Sequence, residues 1–304
     1  MVQPIPVREQ PDVPRNIAPS KSPSPWMIAR RKFLRNRLAM AGLAFLIVTA
    51  ALSFLAPYVT TEDPTKLNIR QINQAPSAEH WLGTDKGGRD VYTRLLYGGR
   101  VSLTIGLSIS LLVILAGTVI GATAGYFGGK TDNLLMRFTD FILNFPLLLF
   151  VIVFSAIFQG SGVLTLILVI SALSWGSTAR LVRSKVLAEK ENEYILSAVS
   201  IGCTPLQVIV KHLLPNVVST IIVQFVYLVA TMIAVETALS FLGFGVQANV
   251  PSWGNMMSDA ISPEVIRNQW WVWAPAGTLI TLTILAINFV GEGLKDAFNP
   301  KSQR

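Results

Sequence analysis

The stretch EYILSAVSIGCTPLQVIVKHLLPN, residues 193–216, decides the fold. It lies between two long apolar runs, yet it carries Glu193, Lys211 and His212 and interrupts itself at Gly202 and Pro205. Ile195, Leu196 and Val199 recur at helical spacing before the glycine, and Leu206, Val208, Ile209 and Leu213 do so after it. The spacing predicts helix, glycine turn, helix, with Pro205 acceptable in the first turn of the second arm, where a missing N–H costs no hydrogen bond. Pro215 predicts a further helix start where the chain turns apolar again. An amphipathic helix–turn–helix between two membrane spans reads as a rigid knob offered to something outside the membrane.

Outward from the knob, the chain is 51% hydrophobic and only 14% charged, whereas soluble domains are nearer a quarter charged. The expected class is an all-α polytopic membrane protein. About 20 apolar residues cross the hydrocarbon, and six stretches qualify: 38–59, 101–125, 134–158, 163–181, 217–244 and 271–290. Ahead of them, residues 1–25 hold seven prolines and read as a disordered tail. Residues 26–37 mix Arg30, Arg31, Lys32, Arg35 and Arg37 with Trp26, Ile28, Phe33 and Leu34, a basic amphipathic segment for a lipid surface. The apolar run after it is long enough to span, so a signal peptide is not expected. Of the 25 Lys and Arg, eighteen lie in the tail 1–37 and in the connections that share its side, and seven lie in the others. That bias predicts both termini and the knob in the cytoplasm, and the net charge of +8 then reflects membrane orientation and not a nucleic-acid partner. The single cysteine, Cys203, allows no internal disulfide, and His80 and His212 stand too far apart to indicate a metal site.

Several features inside this frame bear on function. In the extracytoplasmic connection 60–100, Asp90 and Arg94 at i, i+4, with Val91 and Leu95 beside them, predict a short helix on the outer face. Gly117, Gly121 and Gly125 recur every fourth residue and predict close helix packing. GYFGGKTD has glycines and a lysine, but Ala124 stands where a phosphate loop needs glycine, so the chain is not expected to hydrolyse ATP. Polar groups within spans are costly. Asp140 and Asn144 stand one turn apart ahead of Pro146, and Glu236 stands in the outer half of the fifth span; both acids are expected to pair with a basic or amide side chain on another span. Thr220, Gln224, Tyr227 and Thr231 form one polar seam, either a water-lined path or a set of interhelical hydrogen bonds, with Glu236 facing a different neighbour. The outer loop 245–269 is long enough to cover a pore mouth or to meet a partner, and Trp270, Trp271 and Trp273 mark an interface.

The knob resembles the EAA loop of ABC importer permeases: Gly202 takes the glycine position, Leu213-Leu214-Pro215 the ending, and Leu196-Ser197-Ala198 the triplet, whose glutamate is absent. Glu193-Tyr194 ahead of the triplet is similar to the variant of the peptide/nickel branch. LGTDKGGRDVYTRLLYGGR (82–100), DFILNFP (140–146), ETALSFLGFGVQANVPSWGNM (236–256) and NFVGEGLKDAFNP (288–300) all resemble the C-type permease subunit of dipeptide and oligopeptide importers. The resemblance implies a type I importer permease fold in a bacterial inner or plasma membrane, with a core at 101–292, a coupling loop at 182–216 and a cytoplasmic tail at 293–304. It implies a heterodimer with a homologous second permease, two ATP-binding subunits that hold ATP and Mg, and an extracytoplasmic substrate-binding protein. The chain itself would be non-catalytic and would bind no cofactor or metal. Glu193, Tyr194, Ser197, Ala198, Gly202, Pro205 and Pro215 would make the coupling contact, with Tyr194 as an aromatic anchor and the small residues as a close-fitting seat. Asp140, Asn144, Gln224, Tyr227, Thr231 and Glu236 are the pathway candidates. Nickel, another metal chelate or glutathione are alternative cargoes. A stand-alone secondary transporter would want internal repeats and a charge relay, and neither is visible.

Overall fold

The structure, a computed structural model, describes residues 24–157 and 162–299. The expected tail 1–25, apart from its last two residues, and the end of the tail 293–304 lie outside them. The chain folds into helices α1 (Pro25–Arg35), α2 (Arg37–Phe54), α3 (Ala56–Val59), α4 (Val91–Phe127), α5 (Gly129–Leu143), α6 (Leu147–Ile157) and α7 (Val163–Lys190). These are followed by α8 (Glu193–Ser200), α9 (Pro205–Gln207), α10 (Leu214–Phe241), α11 (Trp253–Met257), α12 (Pro263–Asn268) and α13 (Trp270–Phe298). Among the described residues five helical runs are long and apolar enough to cross a membrane, and α5 with α6 makes a sixth if counted as one span.

α4 is the central post. Its 37 residues extend about 55 Å at 1.5 Å per residue, well beyond the hydrocarbon. The first turns, 91–100, are therefore not a separate helix lying on the outer face, as the Asp90/Arg94 spacing had indicated. Asp90 is the N-cap: one carboxylate oxygen accepts the Thr93 N–H at 2.7 Å and the other faces His80 Nδ1 at 3.1 Å. With Asp90 so occupied, Arg94 turns to Asp85 at 3.3 Å and donates to the Pro64 carbonyl at 3.1 Å.

Glycines set how closely other helices approach this post. A Cβ on Gly117 would fall 2.6 Å from the Thr178 Cβ, and one on Gly125 2.9 Å from Val186 Cγ1, so α7 lies against α4 along the whole 117–125 line. Gly106 faces Ile233 of α10, and Gly99 faces Ser53 of α2 and Trp253 of α11. The apolar core follows the same seams, with Ile105, Ile109, Val113, Ile170 and Leu239 fully buried.

The third expected span, 134–158, is not a straight helix. α5 and α6 meet at 70°, because Pro146 has no N–H to donate and disfavours helical geometry at Phe145. Asn144 supplies a local substitute, donating to the Asp140 carbonyl at 2.8 Å. The last residue of that stretch, 158, lies outside the described residues. The fourth span is longer than its apolar run: α7 continues to Lys190, and its last turns carry Arg183, Lys185 and Lys190.

α1 packs on the end of α13, with the Trp26 and Phe298 rings edge-on at 5.4 Å and Arg30, Arg31 and Arg35 outward. The start of α1, the end of α13 and Pro215 line one groove, so the knob and both described ends of the chain share one end of the bundle.

Candidate coupling site

α8 forms because Ile195 finds an apolar bed on Val182, Val186, Val208 and Leu213, and Ala198 is buried as well. It stops where Gly202 adopts φ +90°, a conformation that L side chains rarely enter. Gly202 and Cys203 donate backbone N–H groups to the Val199 and Ala198 carbonyls at 3.0 and 3.1 Å and close the turn. Thr204 and Gln207 then make a reciprocal capping box, with Pro205 in the first turn of α9. The expected helix, glycine turn and helix are all present.

Pro215 does not begin a separate helix. Residues 205–241 form one continuous run of 37 residues, in which 208–213 is a π turn. The wider turn sits immediately before Pro215, whose ring would collide with the carbonyl four residues back and which has no N–H to donate in a tight α-helix. The second arm of the knob and the fifth span are thus one rod of about 55 Å.

The outer surface of the knob is apolar. Leu196 is 58% exposed, Ile201 82% and Leu206 71%, with Val199 and Val210 about half exposed. These residues form a crest around the Gly202 turn, where an added Cβ would meet nothing within 4 Å. The small-residue seat expected from the sequence is only partly there. Gly202 is on the crest and the Ser197 hydroxyl donates to its own Glu193 carbonyl at 2.9 Å, but Ala198 is 5% exposed and faces the chain's own core. Hydrophobic residues had been read as the inner stripe of an amphipathic pair; the surplus at 196, 199 and 201, more than one helix face can bury, was the available signal for the crest.

Tyr194, the expected aromatic anchor, is 41% exposed, and its hydroxyl is engaged within the chain. Its hydroxyl donates to the Glu189 carboxylate at the end of α7 and accepts from Asn216 Nδ2 at 2.9 Å at the start of α10. Asn216 donates in addition to the His212 carbonyl at 2.7 Å. Desolvation, reinforced by Glu189, pushes the Tyr194 hydroxyl up to about 12. Glu189, Tyr194 and Asn216 therefore clamp the knob between its two spans. Glu193 is exposed in the first turn of α8, where the helix dipole favours a carboxylate.

The seam is divided from the other polar candidates. Thr220, Gln224 and Tyr227 line a cleft of about 400 Å³ with Leu181 and Lys185 of α7 and Lys295 of α13. Among the described residues no hydrogen bond engages the side chains of these three, while Thr231 donates to the Tyr227 carbonyl at 2.9 Å. Asp140 pairs with Arg180 of α7 at 2.5 Å, the basic partner on another span that was expected, and Asp132 and Arg183 join the same two helices. Asp140 and Asn144 are not part of the cleft. Glu236 faces away from the seam as expected, but its partners are serine hydroxyls and not a basic or amide side chain. No group of three or more His, Cys, Asp or Glu that could hold a metal occurs among the described residues.

Comparison with known proteins agrees with this geometry. Residues 117–304 match the family described as binding-protein-dependent transport system inner membrane component, and residues 24–76 match the N-terminal transmembrane domain of oligopeptide transport permease C. The chain is 39% identical over 276 residues to a dipeptide transport system permease protein of Bacillus subtilis, covering 91% of this chain and 86% of that one. It is 36% identical over 284 residues to an oligopeptide transport system permease protein of the same organism, covering 93% and 92%. A glutathione transport system permease protein of Pectobacterium atrosepticum is 37% identical over 279 residues, covering 91% and 92%. The chain belongs to the family of inner-membrane permease components of binding-protein-dependent transport systems.

Proposed function

We propose that this chain is one of two homologous permease subunits of an ATP-driven importer of di- and oligopeptides. The apolar crest around Gly202 supports this most directly. A soluble loop has no physical reason to expose Leu196, Ile201 and Leu206 together, and a contiguous apolar patch marks a contact surface. In this reading the crest seats in a groove of a cytoplasmic ATPase, with both termini on the same side. The partner subunits hold ATP and Mg, and the permease binds neither and performs no hydrolysis. ATPase closure pulls the knob, and the rod 205–241 carries the movement into the bundle as a rigid-body tilt. The sister permease completes the pathway along the Thr220, Gln224 and Tyr227 cleft. An extracytoplasmic binding protein delivers cargo to the outer loops, and the basic face of α1 rests on lipid with no nucleic-acid partner.

Single cysteines at Ile201 and Leu206, in a Cys203→Ser background, test the contact. Cross-links from both to an ATPase subunit of the assembled transporter are expected, and their absence from a working complex removes the coupling assignment. Glutathione is the second cargo reading, favoured by the relative with 37% identity. Competition of labelled dipeptide uptake by unlabelled glutathione separates the two: strong competition favours glutathione, and none favours peptides.

A further inference from the structure

Glu236 is fully buried near the end of α10 and takes no part in the coupling contact. Two serine hydroxyls donate to its carboxyl oxygens, Ser102 of α4 at 2.9 Å and Ser240 one turn further along α10 at 2.8 Å, and the Ser252 hydroxyl, at the N-cap of α11, lies beside the same carboxyl group. Each of these hydroxyls in turn accepts a backbone N–H from the segment that follows α10. Val246 donates to Ser240 at 3.1 Å, Trp253 to Ser102 at 3.2 Å, and Asn255 to Ser252 at 3.1 Å. One carboxyl group thus stands at the centre of a two-layer network whose outer layer is the loop backbone. Around it, Asn255 Nδ2 donates to the carbonyls of Val246, Gln247 and Val250, and the buried Trp253 ring donates to the Leu95 carbonyl at 3.0 Å. A buried carboxyl group is costly unless its hydrogen bonds are made, so Glu236 and the loop order each other.

Glu236 stands at one end of the rod whose other end is the knob. We propose that Glu236 is a positioning residue that fastens the 242–257 loop to this rod, so that a partner engaging the loop and a partner engaging the knob load one rigid element. The identity of the two partners, delivery protein and ATPase, rests on the reading above; the fastening does not. Linkage then requires each partner to change the affinity of the other by the same factor. Glu236 acts through the serines and the loop and makes no contact with cargo.

Glu236→Gln keeps the side-chain shape but replaces one acceptor oxygen by a donor that faces the serine hydroxyls. In the reconstituted transporter, basal ATP hydrolysis should stay within about twofold of native, while stimulation by the liganded delivery protein falls by about tenfold. An independent readout uses Val246→Cys in the Cys203→Ser background. Val246 is buried, and adding Glu236→Gln should speed its reaction with a membrane-impermeant maleimide by about tenfold. Ser240→Ala removes one relay, from Glu236 to the Val246 backbone, leaves Glu236 in place and should give an intermediate shift in both readouts; it carries the test if Glu236→Gln does not accumulate. Equal losses of basal and stimulated hydrolysis, with Val246→Cys labelling unchanged, would reduce Glu236 to a folding role and overturn the proposal. Missing cross-links from Ile201 and Leu206 would overturn the partner assignment alone, because the labelling readout involves no partner.

Discussion

Replacing Gly202 by alanine isolates the contribution of one backbone conformation. A methyl group at this position meets no atom within 4 Å, so the cost is torsional and not steric. An L residue held at φ +90° carries about 1–2 kcal/mol of strain. Opposing it are the two backbone hydrogen bonds that close the turn, from Gly202 to Val199 and from Cys203 to Ala198, worth about 0.5–1.5 kcal/mol each. The two sums are comparable, so the turn passes from mostly closed to mixed, and ATPase affinity falls in proportion to the closed fraction, by about 2–10-fold. The assay is binding of purified ATPase to the reconstituted permease pair. Gly129→Ala, at φ +53° and also in open space, is the control and should stay within about twofold. Gly202→Asp adds a charge to the apolar crest and should abolish uptake while the chain remains in the membrane, since an unpaired charge in a dry interface costs several kcal/mol. Native affinity in both Gly202 variants would show that the turn geometry is not what the ATPase recognises.

Three further outcomes follow from the packing and the clamp. Gly121→Leu places a side chain where the Ala179 carbonyl, Val182 and the Arg183 backbone already stand; it should lower the thermal stability of the purified chain, by about 1–3 kcal/mol or more, and a native melting temperature would contradict the α4–α7 contact. Trp253→Ala empties a fully buried site and should destabilise by about 3–5 kcal/mol, seen as reduced accumulation and earlier thermal aggregation. Tyr194 binds its proton more tightly when folded, with a value raised to about 12 from an unfolded value near 10. Stability from the clamp is therefore complete below about pH 10 and is lost as pH rises from about 10 to 12. Proteolysis of the knob should accelerate over that window in the native chain, and Tyr194→Phe should lack the step.

Length and composition carried the helical class and five of the six spans, because about 20 apolar residues have few other uses. The third span broke at Asn144-Phe145-Pro146, where the proline was visible but its consequence for direction depends on what α6 packs against. At Asp90 the sequence offered only the i, i+4 spacing with Arg94; the buried Asp85 and His80 draw the two side chains apart, and Asp90 becomes an N-cap instead. The Gly202 turn was legible because its hydrogen bonds are local. The Tyr194 clamp was not, since Asn216 lies 22 residues away and no periodicity links them. Glu236 was singled out by its cost, yet Ser102 lies 134 residues away in sequence, and a serine carries too weak a signal to be paired in advance.

The π turn at 208–213 has a consequence for how this protein could diverge. It contains the residue by which the rod departs from a uniform α-helix. Each residue advances an α-helix by about 100°, and the wider π turn takes up one residue's advance, so a sequence one residue shorter there would close to uniform α-helix and keep the crest in phase with Glu236 and the polar cleft. Gain or loss of a single codon is then tolerated at this joint, whereas the same change elsewhere in the rod would turn one end against the other by that angle.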